Sequence, residues 1–368
     1  MSDEVFAIVT GGGTGGHVYP ALAVADALVR RGHDRSCLHF VGSERGLEAT
    51  AVPAAGYSID LLGGRGLRRS LRPSAWLANI GAVFGIIGAL FRALRIVGAR
   101  APKVVLGVGG YASAPCVVAA RLRRVPAVVH EQNATPGMAN RLAVRLGARA
   151  AVSLPGTPLR GAVLTGNPVR AAITAVRRDP DEQRPLVVIT GGSLGAGSLN
   201  RAALELYDRW RHRTDVAVRH IAGRRNHDEV ARALEAIRRA DDLLAYDLRA
   251  YEDDMPEAYA HASVFVCRAG AVTCAELTAT GTPAILVPLP GAPADHQRRN
   301  AEALAQAGAA VLVPDAALDG ARLDHELSRL LAAPQQLRAM GESARALGRP
   351  DAADRVADLV EMAAGGAP

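Results

Sequence analysis

The stretch Thr10-Gly11-Gly12-Gly13-Thr14-Gly15-Gly16-His17 sets five glycines, two hydroxyls and an imidazole behind the apolar run Val5-Phe6-Ala7-Ile8-Val9. Backbone this free is costly to order, so it is expected where a tight turn or a ligand meets the main chain. Ala21 to Leu28 reads as a helix. A strand, a glycine turn and a helix start together aim N–H groups and a positive dipole end at one point, which suits a phosphate. Gly11, Gly13 and Gly16 also fit G-x-G-x-x-G, the spacing of a dinucleotide site. Such a site wants an acidic residue ending the second strand. Glu44 lies beyond that strand, and the fit is poor.

Cys267 to Asn300 is richer in polar groups. Arg268-Ala269-Gly270-Ala271-Val272-Thr273-Cys274-Ala275-Glu276 reads as a second helix start, with a cation and a hydroxyl at its opening. Glu276, in its second turn, can accept two sugar hydroxyls or compensate the helix dipole. Asp295-His296-Gln297-Arg298-Arg299-Asn300 opens a further helix and suits a polyhydroxylated ligand. Simple capping by Asp295 is the alternative.

These groups must be carried by an α/β framework. With 368 residues, two domains are expected. The second half repeats the grammar of the first. Leu186-Val187-Val188-Ile189-Thr190 leads into Gly191 to Ala196, as Val5 to Val9 leads into Gly11. Val264 to Ala271 likewise echoes Lys103 to Gly110, and Thr282 to Val287 echoes Val125 to Val129. The repetition predicts two Rossmann-like doubly wound domains facing across a deep cleft, over 1–169 and 170–350. Ligands would collect at the carboxyl ends of the strands. An amphipathic helix in 351–368 is expected to pack back on the first domain.

The net charge of +7 points to an acidic partner such as a phosphorylated substrate, anionic lipid or nucleic acid. The four cysteines form no C-x-x-C pair or zinc spacing, and Met1-Ser2-Asp3-Glu4 lacks the form of a signal peptide. Arg65, Arg68, Arg69 and Arg72 precede nineteen uncharged residues, Pro73 to Phe91, which include Trp76, Ile80, Phe84 and Ile87. A spanning helix and a plain sheet-covering helix are the alternatives to a helix dipping into a membrane surface. The last explains both the apolar run and the arginines.

Gly11 to Pro20, Gly107 to Tyr111, His130 to Asn133, Gly166 to Arg170, Gly191 to Ala196, Arg268 to Glu276 and Asp295 to Asn300 occur in this order. Together they resemble the GT-B enzymes of glycosyltransferase family 28 that make lipid II in peptidoglycan synthesis. The resemblance covers nearly the whole chain. It implies inverting transfer of N-acetylglucosamine from UDP-GlcNAc to the 4-hydroxyl of the muramyl sugar of lipid I. The enzyme would be peripheral, at the cytoplasmic face of the cell membrane, and would need no cofactor. Its partners would be UDP-GlcNAc, lipid I, anionic phospholipid and other cell-wall enzymes, with no nucleic acid.

By position, the resemblance assigns Thr14, Gly15, Gly16, Asn133, Arg170, Ser193, Ala271, Val272, Thr273, Glu276 and Gln297 to the donor, with Glu276 on its ribose. Glu252 falls where uracil is read through the backbone, and it stands where some relatives carry an apolar residue. His296 stands where a second glutamine can occur. Tyr111 and His130 are assigned to the acceptor.

The chemistry needs a base for the acceptor hydroxyl and stabilisation of departing UDP. His17 is the first candidate base, with a phosphate-binding role as its alternative; Glu131 and His130 are the others. No metal is expected, since the one D-x-D, Asp179-Pro180-Asp181, lies in the connection between domains. Rival readings are a GT-B sugar-nucleotide 2-epimerase, an NAD-dependent oxidoreductase, and a sensor that binds without turnover.

Overall fold

The computed structural model describes residues 4–44, 46–63, 73–192, 195–292 and 295–365. The chain divides into two compact units, Met1–Arg170 with Pro350–Pro368, and Ala171–Arg349.

Unit 1 opens with β1 (Ala7–Thr10), α1 (Gly15–Arg30), β2 (Leu38–Ser43) and α2 (Glu48–Ala54). It continues through β3 (Ser58–Leu62), α3 (Pro73–Arg100), β4 (Val104–Gly107) and α4 (Ser113–Leu122). β5 (Ala127–Glu131), α5 (Met138–Arg145), β6 (Arg149–Val152) and β7 (Val163–Leu164) follow. All pairings are parallel, in the order β3-β2-β1-β4-β5-β6-β7. A parallel sheet is covered on both faces, which is why β1 and β4 read as unbroken apolar runs rather than alternating ones.

Unit 2 begins with α6 (Ala171–Thr174), β8 (Leu186–Thr190), α7 (Gly197–Trp210), β9 (Ala217–Ile221) and α8 (His227–Ile237). Next come β10 (Ala245–Arg249), α9 (Met255–His261), β11 (Ala262–Cys267), α10 (Ala271–Thr280) and β12 (Ala284–Leu286). α11 (His296–Gln306), β13 (Ala310–Leu312), α12 (Gly320–Leu331) and α13 (Pro334–Leu347) complete it. Its sheet, also parallel, runs β10-β9-β8-β11-β12-β13.

The last helix, α14 (Ala352–Ala364), belongs to unit 1. Its Val356, Leu359 and Val360 join Leu22, Val24 and Leu28 of α1 in one core. Arg31 bonds to Glu361, His33 Nε2 lies 2.9 Å from the other Glu361 oxygen, and Arg30 reaches Asp354 at 3.1 Å. The opposite face is closed by α3 and α4. Ala89, Ala93 and Val97 at i, i+4 and i+8 pack with Cys116 and Val117. Ile87 and Phe91 are exposed on α3, at 45% and 64%. Among the described residues no helix is long and apolar enough to cross a membrane. The side chains of Trp76, Ile80 and Phe84, and the arginines at 65, 68, 69 and 72, lie outside what is described.

Each unit contains a fully buried histidine that burial keeps neutral. In unit 2, His220 Nε2 donates to Asn200 Oδ1 at 3.0 Å, and its Nδ1 accepts from the Tyr246 hydroxyl at 2.8 Å. In unit 1, His130 Nε2 donates to the Gly166 carbonyl at 2.9 Å. Burial pushes both pKa values down to about 4. The unfolded chain binds these protons near its ordinary value while the folded chain does not. Stability is therefore complete above about pH 6.5 and declines as pH falls towards 4, by up to roughly 3 kcal/mol per histidine. Denaturant melts across that window are expected to show the decline. A flat profile would remove both histidines from the account.

Candidate functional site

Each sheet reverses its order beside its first strand: β1 lies between β2 and β4, and β8 between β9 and β11. In unit 1, α1 and α4 cover opposite faces of the sheet, so the chain leaves β1 and β4 towards opposite sides. Such a switch point is where ligands enter an open parallel sheet.

The loop after β1 is pressed against the loop after β4. Gly12 N donates to the Gly109 carbonyl at 3.3 Å. A Cβ on Gly110, whose φ is 85°, would lie 2.2 Å from Gly12 O, so only glycine fits. Gly11 N donates to Val41 O, and Gly13 N to Glu48 Oε2. These three amides are used inside the protein. The first α-helical bond of α1 runs from Val18 N to Thr14 O. The N–H groups of Gly15 and Gly16 therefore stand open at the helix start, beside the exposed N-cap Thr14.

His17, in that first turn, lies against the Gly109 loop, where an added Cβ would stand 3.0 Å from its Cε1. Its Nδ1 is buried with no well-formed hydrogen bond. Burial lowers its pKa, and the nearby Glu131 carboxylate is the main opposing influence. The imidazole is thus neutral at physiological pH and able to accept a proton. Arg170 stacks its guanidinium 4.7 Å from the ring centre of Tyr19, two residues beyond His17.

The segment after β5 is held from within. Glu131 Oε1 accepts from Asn133 N at 3.0 Å and Asn133 Nδ2 at 3.3 Å. Its Oε2 accepts from Gly137 N at 2.9 Å and Asn140 Nδ2 at 2.8 Å. The carboxylate is 3% exposed and committed to shaping the loop that carries Asn133. His130 is wholly buried and ties β5 to Gly166. The half-buried Tyr111 turns its hydroxyl towards Gly85 O at 3.1 Å and Gly63 O at 3.4 Å, fastening the β4 loop to α3.

In unit 2, the first helical bond of α10 runs from Cys274 N to Gly270 O, which leaves the amides of Ala271, Val272 and Thr273 as an open first turn. Glu276 follows one turn later, 7% exposed, and the Tyr259 hydroxyl donates to its Oε2 at 2.9 Å. The carboxylate is oriented rather than loose. Gly195, with φ of 76°, packs where a Cβ would meet the Ala222 carbonyl, closing the turn after β8. Ser193 lies outside the described residues.

Arg268 is tied in at this end of the sheet through its two terminal nitrogens. It donates to Asp315 Oδ1 at 2.6 Å, Ser198 Oγ at 2.9 Å and the carbonyls of Val287 and Pro288. Gln297 accepts from Leu289 N at 3.0 Å through Oε1, leaving its amide nitrogen for a ligand. Asp295 does not cap α11. Its backbone is left-handed, with φ of 51°, and its carboxylate takes Arg298 Nε instead. Glu252 is buried as well. Its Oε2 accepts from Arg249 at 2.7 Å and Arg219 at 3.3 Å, so an ion-pair cluster replaces apolar packing.

Residues 7–152 match the glycosyltransferase family 28 N-terminal domain, and residues 186–356 match the family 28 C-terminal domain. The chain belongs to glycosyltransferase family 28.

Among its relatives is the UDP-N-acetylglucosamine--N-acetylmuramyl-(pentapeptide) pyrophosphoryl-undecaprenol N-acetylglucosamine transferase of Alkalilimnicola ehrlichii. It is 46% identical over 359 residues, covering 96% of this chain and 97% of the relative. A protein of the same name from Salinibacter ruber is 41% identical over 97% of this chain and 96% of its own length. The crystal structure of Acinetobacter baumannii MurG superposes with a TM-score of 0.76 at 28% identity, covering 97% of this chain and 99% of that one. A UDP-N-acetylglucosamine 2-epimerase from Listeria monocytogenes reaches a TM-score of 0.69 at 14% identity, covering 99% and 98%, which speaks for the GT-B fold alone.

Several of these anchors escaped the sequence reading. Tyr259, Asp315 and Ser198 join the site from elements far along the chain, and no local spacing marks them. Glu131 is the one whose effect is most easily isolated. Glu131→Ala strands four N–H donors on Asn133, Gly137 and Asn140, so a loss of roughly 3 kcal/mol is expected in the denaturation of unit 1. A change below about 1 kcal/mol would show that the loop does not rely on this carboxylate.

Proposed function

We propose that this chain transfers N-acetylglucosamine from UDP-GlcNAc, with inversion, to the 4-hydroxyl of the muramyl sugar of undecaprenyl-pyrophosphoryl-MurNAc-pentapeptide, yielding lipid II. The observation that carries this reading is 46% identity over nearly the full length of both chains to a transferase of that name. The site chemistry agrees. Unit 2 supplies the donor half-site: the open first turn at Ala271–Thr273 takes the nucleotide phosphates, and Glu276, held by Tyr259, takes the ribose hydroxyls. Gln297 offers its free amide nitrogen to the sugar. Ser193 is assigned to the diphosphate, and the backbone at Glu252 to uracil.

Unit 1 supplies the acceptor half-site. Thr14, Gly15 and Gly16 meet the transferred sugar, and Asn133 and Arg170 complete the donor contacts from this side. Tyr111 borders the acceptor through its ring and backbone. His17 takes the proton from the attacking hydroxyl as the C–O bond forms at the anomeric carbon and the bond to UDP breaks. Its depressed pKa keeps it unprotonated for that purpose. Fixed dipoles stabilise the departing UDP with no reorganisation at the moment of transfer.

The enzyme works at a membrane surface, from its cytoplasmic face. The exposed Ile87 and Phe91 on α3 enter the lipid headgroup layer, together with Trp76, Ile80 and Phe84 of the same helix. Anionic phospholipid meets the arginines before it, and other cell-wall enzymes are further partners.

UDP release from UDP-GlcNAc is expected only when a lipid I analogue is present. Release without acceptor, or epimerised UDP-sugar as product, would overturn the reading. His17→Ala should lower kcat by about a hundredfold or more with donor affinity kept, whereas Glu276→Ala should raise donor KM about tenfold. Replacing Ile87 and Phe91 with serine should weaken binding to anionic liposomes by about tenfold. Equal binding would leave α3 as a covering helix only.

A further inference from the structure

Glu48 has no place in the reaction as described so far, yet it sits at the centre of the first glycine turn. Its side chain is 2% exposed. Oε2 accepts from Gly13 N at 2.8 Å and Oε1 from Ser43 N at 2.7 Å, so one carboxylate joins the ends of β1 and β2. Three glycines make room for it. A Cβ on Gly12 would lie 1.9 Å from Oε1, one on Gly46 2.0 Å from Oε2, and one on Gly42 2.4 Å from Cγ. No Lys, Arg or His forms an ion pair with it among the described residues.

A buried anion without a cation, gripped by backbone amides in a glycine-lined seat, is the arrangement in which such turns bind phosphate. Here the anion is part of the protein. We propose that Glu48 is a positioning residue. Its carboxylate fills the anion seat of the first glycine turn, fixes the start of α1 and with it His17, and reserves the adjoining amides of Gly15 and Gly16 for uncharged sugar oxygens. The inference rests on the transferase reading and refines it. A phosphate at those amides would face a fixed like charge, while a hydroxyl would not. The dinucleotide spelling of Gly11, Gly13 and Gly16 is thereby separated from dinucleotide binding.

The experiment follows turnover of UDP-GlcNAc and a lipid I analogue by the full chain and two variants, with thermal melts to establish folding. Glu48→Ala empties the seat and is expected to lower kcat about a hundredfold while donor KM stays within about twofold. Formate, a carboxylate small enough to enter the emptied seat, should restore at least about tenfold of that loss. Glu48→Gln keeps the shape but presents an N–H to an amide donor. It should be slowed about tenfold or more and should not respond to formate.

A folded Glu48→Ala enzyme that turns over normally, or that formate leaves unchanged, overturns the proposal. If the alanine variant does not fold, the glutamine variant decides: kcat at the level of the unsubstituted enzyme overturns the proposal, and a slowed kcat supports it. A substrate pair that the unsubstituted enzyme does not turn over would instead refute the transferase reading, so the two failures are distinct.

Discussion

A helix that starts beside a strand end cannot satisfy its own first amides, and the architecture depends on where those amides are left open. Each parallel sheet has a switch point where its strand order reverses, and a helix starts beside it. In unit 1 the open groups belong to Gly15 and Gly16 of α1. In unit 2 they belong to Ala271, Val272 and Thr273 of α10. The apolar strands behind them are fixed by burial on both faces, so the position of each opening is set by the core.

Around these openings the protein spends its own charges on its own backbone. Glu131 gathers the loop after β5, Glu276 is aimed by Tyr259, Arg268 ties Ser198 to Asp315, and Glu252 sits between two arginines. Hydrogen bonds to charged groups are worth about 1.5–3 kcal/mol each, and leaving one partner bare costs comparably. Such groups make poor reagents and good scaffolding. His17 differs from them: its Nδ1 lacks a formed bond, and burial lowers its pKa against the pull of Glu131.

The strand–glycine–helix units were legible because they are local: Val5 to His17 and Leu186 to Ala196 carry apolar run, turn and helix within about one loop's span. Arg268 to Glu276 was legible for the same reason, since Glu276 falls one turn after the open amides. The partners that give these groups their roles were not. Glu48 reaches Gly13 from 35 residues away, and Arg268 reaches Asp315 from 47. Nothing near Glu48 distinguishes it from any acidic residue opening a helix. The burial of His130 and Glu131 and their bonds to Gly166 and Gly137 are likewise absent from any local pattern. Asp295 had the composition of a cap but not the backbone angle for one.

The position of α14 bears on how the chain comes into being. Val356, Leu359 and Val360, from the far end of the polypeptide, complete the same core as β1 and α1. During vectorial synthesis the residues of unit 2 emerge in full before that core can close. The first unit to be made is therefore the last to be finished, and its nascent form shows an uncovered strip of α1 for the duration of translation. A stalled or C-terminally clipped chain would carry a unit 2 able to close its own sheet and a unit 1 lacking part of its packing. Such a product presents apolar surface of the kind that chaperones and proteases read as unfinished.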